Sequence, residues 1–186
     1  MKRIKFVITT ALAMVMVFTT AMGSAQVSRM QPVQTPITGW EGQGDLSTPF
    51  QALVQFYYAF NTHSIAVMSQ NWAQSDEIAM DNPLGGIKRG WDAIKPVYEK
   101  IFTGPAEVEV YVEFYDYTIH ETNDMFYAVG RERGSLRLGG NEVPLAIRTS
   151  RIFRKIDGRW KQVHHHGSID DPKLLTQYQS AVLGKP

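Results

Sequence analysis

Residues 151–168 read RIFRKIDGRWKQVHHHGS, and this segment divides into two strand-like halves at Asp157-Gly158. Each half follows the period of two that indicates a β-strand. Asp-Gly between two such halves is typical of a two-residue hairpin turn, in which Ile156 faces Arg159. The segment therefore predicts an antiparallel hairpin with a defined register.

That register brings polar side chains together on one face of the hairpin. Counting back from the turn pairs Arg151 with His164 and Thr149 with His166, and the period of two adds Trp160 to the same face. No acidic residue of either strand shares this face, so we expect Arg151 to bind an anionic or polar ligand. We then expect Arg151→Ala to abolish carboxylate binding and leave the fold intact. A subunit interface, or a polar network that satisfies a buried sheet face, is the alternative.

Three further strand-like segments precede the hairpin and complete a meander. They cover residues 107–120, 125–138 and 143–156, and the last strand extends over 159–169. Turn residues separate each segment from the next. A sheet of four long antiparallel strands needs an apolar cover on one face.

Amphipathic helices before the meander can supply that cover. Thr48 before Pro49 begins the first helix, which ends near Asn61. Ser64 caps a short second helix, and residues 91–102 show helical spacing of their apolar side chains. The order of elements predicts an α+β fold.

The first 25 residues have the composition of a secretory signal peptide. Basic residues begin residues 1–25, an apolar run covers residues 6–18, and small residues precede the expected cleavage site. The apolar run is short for a membrane span, which needs about 20 residues. We therefore predict a periplasmic or secreted protein that has no membrane association once the signal peptide is removed.

The remaining chain divides by composition into three parts. Residues 26–47 are rich in Pro and Gly and predict a flexible linker, in which Trp40 is expected to dock on the domain surface. Residues 48–171 form the predicted domain. Residues 172–186 form a C-terminal helical tail.

Composition excludes several function classes. The 19 Lys and Arg residues against 18 Asp and Glu residues leave no basic excess for nucleic-acid binding. The chain contains no cysteine, which excludes disulfides, thiolate metal sites and a cysteine nucleophile. We expect no cofactor.

The order of elements resembles the nuclear transport factor 2-like superfamily, which includes SnoaL-like cyclases, ketosteroid isomerases and the association (hub) domain of calcium/calmodulin-dependent protein kinase II. The last hairpin looks most like that of the hub domain. Its matching residues are, in order, Arg151, Asp157, Gly158, Trp160, His164, His166 and Ser168.

The resemblance implies a cone-shaped, strongly curved, antiparallel-rich sheet, closed by the three N-terminal helices around a pocket. It also implies self-association into dimers or larger assemblies. The hub domain lines its pocket with positive groups that hold a carboxylate, and Arg131 and Arg151 occupy two matching positions. Two other basic positions of the hub are Ile94 and Gly167 here. The implied ligand-binding set is Arg131, Arg151, His164, His166 and Trp160.

Compared with ketosteroid isomerases, the chain departs at the positions that matter for catalysis. Phe56 stands where the family has a Tyr, and Asn82 stands where it has the Asp that moves the proton, with Asp81 displaced by one position. Asp81 and His164 are the candidates for a catalytic base. The departures favour binding over enzymatic activity.

Metal binding is the rival interpretation of the histidines. His164 and His166 can reach one ion, with His120, Asp116 or Glu132 as a third ligand. The chain lacks a helical His-Glu-x-x-His spacing, so we predict no metal site.

Three hypotheses follow. The first is a secreted SnoaL-like domain that binds a small polar or anionic molecule in a partly basic pocket, or serves assembly. The second is an isomerase, lyase or hydrolase with Asp81 or His164 as the base. The third is a purely structural oligomer unit, in which Trp160 and the arginines are interface groups.

Overall fold

The computed structural model describes residues 34–42, 44–103, 109–138 and 141–183, so the predicted signal peptide lies outside the described residues. None of the described helices is long and apolar enough to span a membrane. The elements are, in order, α1 Pro49–Asn61, α2 Ile65–Asn71, β1 Ala79–Asp81, β2 Lys88–Arg89, α3 Trp91–Phe102, β3 Glu109–Glu121, β4 Met125–Leu138, β5 Asn141–Ile156, β6 Arg159–Ser168 and α4 Pro172–Leu183.

The six strands of the described residues form one mixed sheet in the order β2-β1-β6-β5-β4-β3. Strands β3 to β6 are the predicted antiparallel meander, and β1 runs parallel to β6. The sheet is not closed. Apolar residues of α1, α2 and α3 pack with those of the inner sheet face in one core. The predicted α+β class is confirmed.

Side chains begin the helices where the sequence predicts. The Thr48 hydroxyl accepts a hydrogen bond from the Gln51 amide at 3.3 Å, and the Ser64 hydroxyl accepts one from Val67 at the same distance. These bonds satisfy amide groups that a helix start otherwise leaves without a partner.

The turn at Asp157-Gly158 has the predicted form. Both residues have positive φ, 50° and 76°, which matches the twist of the flanking strands. Going away from the turn, Phe153 of β5 pairs with Gln162 of β6, but the residue before it, Ile152, pairs with His164. Val163 is therefore the extra residue of a β-bulge.

Because of the bulge, the observed register differs from the predicted one. Arg151 lies opposite His165, and Thr149 lies opposite Gly167, so the predicted pairs of Arg151 with His164 and of Thr149 with His166 are wrong. One extra residue moves every later side chain of β6 to the other face. His165 therefore faces the core.

The described part of the predicted linker differs from a flexible segment. Ile37 is completely buried, and its backbone exchanges hydrogen bonds of 2.8 and 2.9 Å with Phe114 on the edge strand β3. Trp40 docks on the surface, with its ring edge-to-face on Tyr58 at 5.7 Å while 60% of the residue is exposed. Burial of Ile37 and pairing along the sheet edge offset the entropy of ordering this segment.

Candidate functional site

A small cavity lies between the inner face of the sheet and helices α1, α3 and α4. Its volume is about 40 Å³, which is room for roughly three water molecules. Most of its wall is apolar. The polar residues of the wall are Asn82, Tyr98, Glu132, Arg151, His165 and Tyr178.

Arg151 stands at the centre of a buried polar network. Its Nη2 lies 2.6 Å from Glu132 Oε1, with side chains only 1% and 5% exposed. Its Nη1 donates to Gln162 at 3.0 Å, and its Nε donates to the Tyr57 hydroxyl at 3.3 Å. The Tyr57 hydroxyl in turn donates to Glu132 at 2.7 Å, and the guanidinium carbon lies 3.5 Å from the centre of the Phe56 ring. The network supplies Arg151 with both a counter-charge and an aromatic face.

The charge of Arg151 is balanced by Glu132 within the network. Burial alone lowers the pKa of Arg151, but Tyr57 and Glu132 outweigh it and raise that pKa above its ordinary value. Burial raises the pKa of Tyr57, and it raises the pKa of Tyr98 to about 12. Both tyrosines are therefore neutral phenols at physiological pH, and the guanidinium is charged.

His165 contributes a neutral imidazole to the cavity wall. Its Nε2 lies 3.0 Å from the Thr149 hydroxyl oxygen, and that hydroxyl donates its proton to the His166 carbonyl. Nε2 therefore carries the imidazole proton, and Nδ1 keeps its lone pair. Nδ1 is buried and has no hydrogen-bond partner among the residues described. Burial, and after it the charge of Arg151, hold the pKa of His165 well below its usual range.

This burial makes stability depend on pH. Because the folded pKa of His165 is lowered, the unfolded chain binds the extra proton, so stability is full above about pH 6.5 and falls as pH decreases below it. We expect His165 to lower the free energy of unfolding by up to about 1.4 kcal/mol for each pH unit below that value. Urea unfolding at pH 7.5 and 5.0 should show a smaller loss of stability for His165→Gln than for the wild type. His120→Gln, at an exposed position, should keep the wild-type loss; an equal loss in His165→Gln would contradict the assignment.

The structure places most of the predicted ligand-binding set elsewhere. Arg131, His164 and His166 face away from the cavity, on the outer face of the sheet. Arg131 is 53% exposed and pairs with Asp116 at 3.3 Å. Since β4 alternates, an inward Glu132 requires an outward Arg131. The prediction that these three residues share a pocket with Arg151 is wrong.

Trp160 is a core residue. It is 2% exposed, its indole nitrogen donates to the Ser47 carbonyl at 2.6 Å, and its ring packs edge-to-face on Phe126 at 5.0 Å. It lies on the inner face, as predicted, but it does not line the cavity described above.

Asp81, a predicted catalytic base, also lies outside the cavity. One of its oxygens lies 2.5 Å from His166 Nδ1 and the other 3.6 Å from His164 Nε2, so the second predicted base, His164, shares its outer position. Asn82 lines the cavity instead, as the resemblance to isomerases implied. Neither candidate base lines the cavity.

Two of the predicted third metal ligands pair with arginines instead. Asp116 pairs with Arg131, and Glu132 pairs with Arg151. In the parts of the chain that the structure describes, no group of three or more His, Asp or Glu side chains is arranged to hold a metal ion.

Sequence reasoning missed Glu132 as a pocket residue, although a signal for it exists. Phe126 and Ala128 are apolar and lie an even number of positions before Glu132, so the period of two places all three on the inner face. His165 carries no such signal, because its orientation depends on the bulge at Val163.

Comparison with known proteins bears on this geometry. The family model of the SnoaL-like domain matches residues 50–172, which is 123 of the 186 residues of the chain. The chain belongs to the SnoaL-like family. Among curated proteins, none matches its sequence significantly.

Solved structures similar to this SnoaL-like domain have the same fold. A candidate calcium/calmodulin-dependent protein kinase type II association domain from Thiobacillus denitrificans is 25% identical, with a TM-score of 0.55 over 67% of this chain and 96% of that one. A candidate dehydratase from Streptomyces avermitilis is 18% identical, with a TM-score of 0.55 over 63% and 90%. A candidate ketosteroid isomerase from Shewanella frigidimarina is 16% identical, with a TM-score of 0.54 over 68% and 98%. The predicted nuclear transport factor 2-like fold is confirmed.

Proposed function

We propose that this SnoaL-like protein binds a small molecule in the cavity between its sheet and its helices. The observation that carries the proposal is a set of buried polar atoms inside an apolar wall. His165 Nδ1 and the Tyr98 hydroxyl are both buried without a hydrogen-bond partner among the described residues. Buried polar atoms are rarely left in this state, and a bound molecule with a polar group would complete them.

The geometry supports binding rather than catalysis. Asp81 and His164 lie on the outer face, and His165 holds its proton weakly because of its lowered pKa. A general base near neutral pH requires a pKa close to the working pH and a position within reach of the substrate proton. None of these three side chains meets both conditions.

Helix α4 contributes to the wall of the proposed site and is hydrogen-bonded to the turn after β1. Tyr178 is 6% exposed and forms part of the cavity wall, and the neighbouring Gln179 side chain donates to the Pro83 carbonyl at 2.7 Å. With α4 in this position, about 40 Å³ is too small for an organic molecule. A larger ligand therefore requires part of the wall to move, and we propose that this part is the Tyr178 ring.

Tyr178→Ala should strengthen binding of a small aromatic probe, because it removes the side chain that competes for the site. With benzamide as the probe, we expect the affinity to rise about tenfold or more, measured by calorimetry. Gln177→Ala, on the exposed side of the same helix, should keep the wild-type affinity. If neither the wild type nor Tyr178→Ala binds benzamide, the cavity is not a binding site for molecules of this kind.

Self-association is a second candidate function, favoured by the outer face of the sheet. Tyr127 and Val129 are large apolar residues exposed by 39% and 46% on β4. The Thiobacillus denitrificans structure is named for an association domain, which supports the same proposal. A large exposed apolar patch marks a protein–protein interface, and these two side chains lie on the same face of the sheet.

A charge at the centre of this face should dissociate the assembly. We expect the wild type to sediment as a dimer or larger species at micromolar concentration and Val129→Glu to sediment as a monomer. Ile87→Glu, at a position exposed by 56% in the loop before β2, should keep the wild-type mass. A monomeric wild type would remove this proposal without affecting the cavity.

We further propose that the protein is exported. The support is the order of basic residues, apolar run and small residues in residues 1–25. N-terminal sequencing of the native protein should begin at Gln26, and a sequence that begins at Met1 would refute export by cleavage.

A further inference from the structure

The charge balance of the cavity points to the chemical class of its ligand. We propose that Glu132 is a built-in carboxylate that occupies the anion-binding position of Arg151, so that the cavity takes neutral molecules with an amide or hydroxyl group and excludes carboxylates. This inference rests on the proposed function of the cavity as a binding site.

Glu132 already occupies the side of the Arg151 guanidinium where an anion would bind. Glu132 Oε1 receives both the 2.6 Å bond from Arg151 and the 2.7 Å bond from the Tyr57 hydroxyl. Glu132 lies on β4 and Arg151 on the neighbouring strand β5, so the pairing of these two strands holds the carboxylate beside the guanidinium. A ligand carboxylate would have to compete with the Glu132 carboxylate. Because Glu132 is covalently part of the protein, it loses no translational or rotational entropy when it pairs with Arg151.

The described residues of the cavity wall carry no net charge. Glu132 and Arg151 cancel, and the other polar groups of the wall, Tyr98, His165, Tyr178 and Asn82, are neutral. A carboxylate added to this site would be a second buried negative charge facing a single arginine. Two carboxylates that share one site raise the pKa of one of them, and an uncompensated buried charge is strongly unfavourable.

Two polar atoms of the cavity wall are buried without a hydrogen-bond partner among the described residues. His165 Nδ1 holds a free lone pair that can accept a hydrogen bond, while the Tyr98 hydroxyl can donate one. A primary amide or an alcohol offers both a donor and an acceptor, and a carboxylate offers acceptors only. The apolar side chains around them suit an apolar body on the ligand.

The role of Glu132 can be tested by removing its carboxylate from the position beside Arg151. Glu132→Ala removes the atoms of an acetate ion, so acetate should fill the space and pair with Arg151. We expect 50 mM acetate to raise the melting temperature of Glu132→Ala by about 3–6 °C over chloride of equal ionic strength. Acetamide, which has the same shape without the charge, should give no comparable shift. The wild type and Glu132→Gln, which leave no space, should not respond to acetate.

Ligand charge is tested with a matched pair of probes, benzamide and benzoate. The wild type should bind benzamide more tightly than benzoate, and Glu132→Gln should shift the preference toward benzoate by about tenfold or more. A wild type that prefers benzoate, or a preference unchanged in Glu132→Gln, would overturn the inference.

Failure of the inference and failure of the proposed function give different results. If the wild type binds neither probe while acetate stabilises Glu132→Ala, the cavity is not a binding site but Glu132 does fill the anion position. If acetate and acetamide act equally on Glu132→Ala, the assigned role of Glu132 is wrong. Should Glu132→Ala not fold without an additive, its soluble yield in acetate against acetamide is the same readout. If it folds in neither, the probe preference of Glu132→Gln decides.

Discussion

Arg151→Met should lower the free energy of unfolding by about 3–5 kcal/mol, because it leaves a carboxylate buried without its counter-charge. Glu132 is 5% exposed on its side chain and would keep only the hydrogen bond from Tyr57. Urea denaturation at pH 7.5 measures the effect. Arg131 is the control, because it lies on the same strand as Glu132 and its ion pair with Asp116 is exposed, with side chains 53% and 73% accessible. Arg131→Met should change stability by less than about 1 kcal/mol.

A double variant separates the charge from the packing. Arg151→Met with Glu132→Leu removes both charges and keeps apolar volume in the core, so it should recover most of the stability that Arg151→Met loses. If the single and double variants lose the same free energy, the loss comes from packing against Phe56 rather than from the unpaired carboxylate. This expectation replaces the sequence-based one that Arg151→Ala leaves the fold intact, since the sequence did not reveal the partner of Arg151.

Gly39→Ala should destabilise the protein by about 3 kcal/mol, although it lies in a segment that the sequence predicts to be flexible. Its φ of 90° disfavours any side chain, and a Cβ at this position would clash with the backbone nitrogen of Tyr58 in α1. Neither the helix backbone nor the paired segment around Ile37 can yield without loss of buried contacts.

Gly42 provides the matched control. Its φ is 86°, but a Cβ there meets nothing within 4 Å. Gly42→Ala therefore carries the cost of positive φ alone, about 1 kcal/mol. Denaturant unfolding of both variants compares the two effects. Equal, small losses would mean that residues 34–42 do not pack on α1 in solution.

Much of the fold follows from local patterns. The predicted bounds of β4 and the end of α1 at Asn61 agree with the structure because period, capping and turn signals act over a few residues. The Asp157-Gly158 turn is predictable for the same reason, since both positions need positive φ. The burial of Ile37 is not, because its partner Phe114 is far away in the chain.

The candidate site is only partly predictable. Arg151 is correctly placed on the inner face by counting from the turn, but the count fails on β6 after Gln162, where the bulge begins. The three consecutive histidines hide this failure, because each register puts a histidine opposite Arg151. The sequence therefore predicts a histidine beside Arg151 but identifies the wrong one.

By itself the sequence determined the elements, their order, the hairpin turn and the family likeness, all of which depend on neighbours in the chain or on short spacings. The tertiary structure alone decided that Glu132 of β4 neutralises Arg151 of β5, that Val163 bulges and turns His165 inward, and that Tyr178 of α4 forms part of the cavity wall. The physical reason is that charge balance and free space in a buried site are set by side chains from separate elements. Their meeting depends on sheet register and packing, which no local pattern encodes.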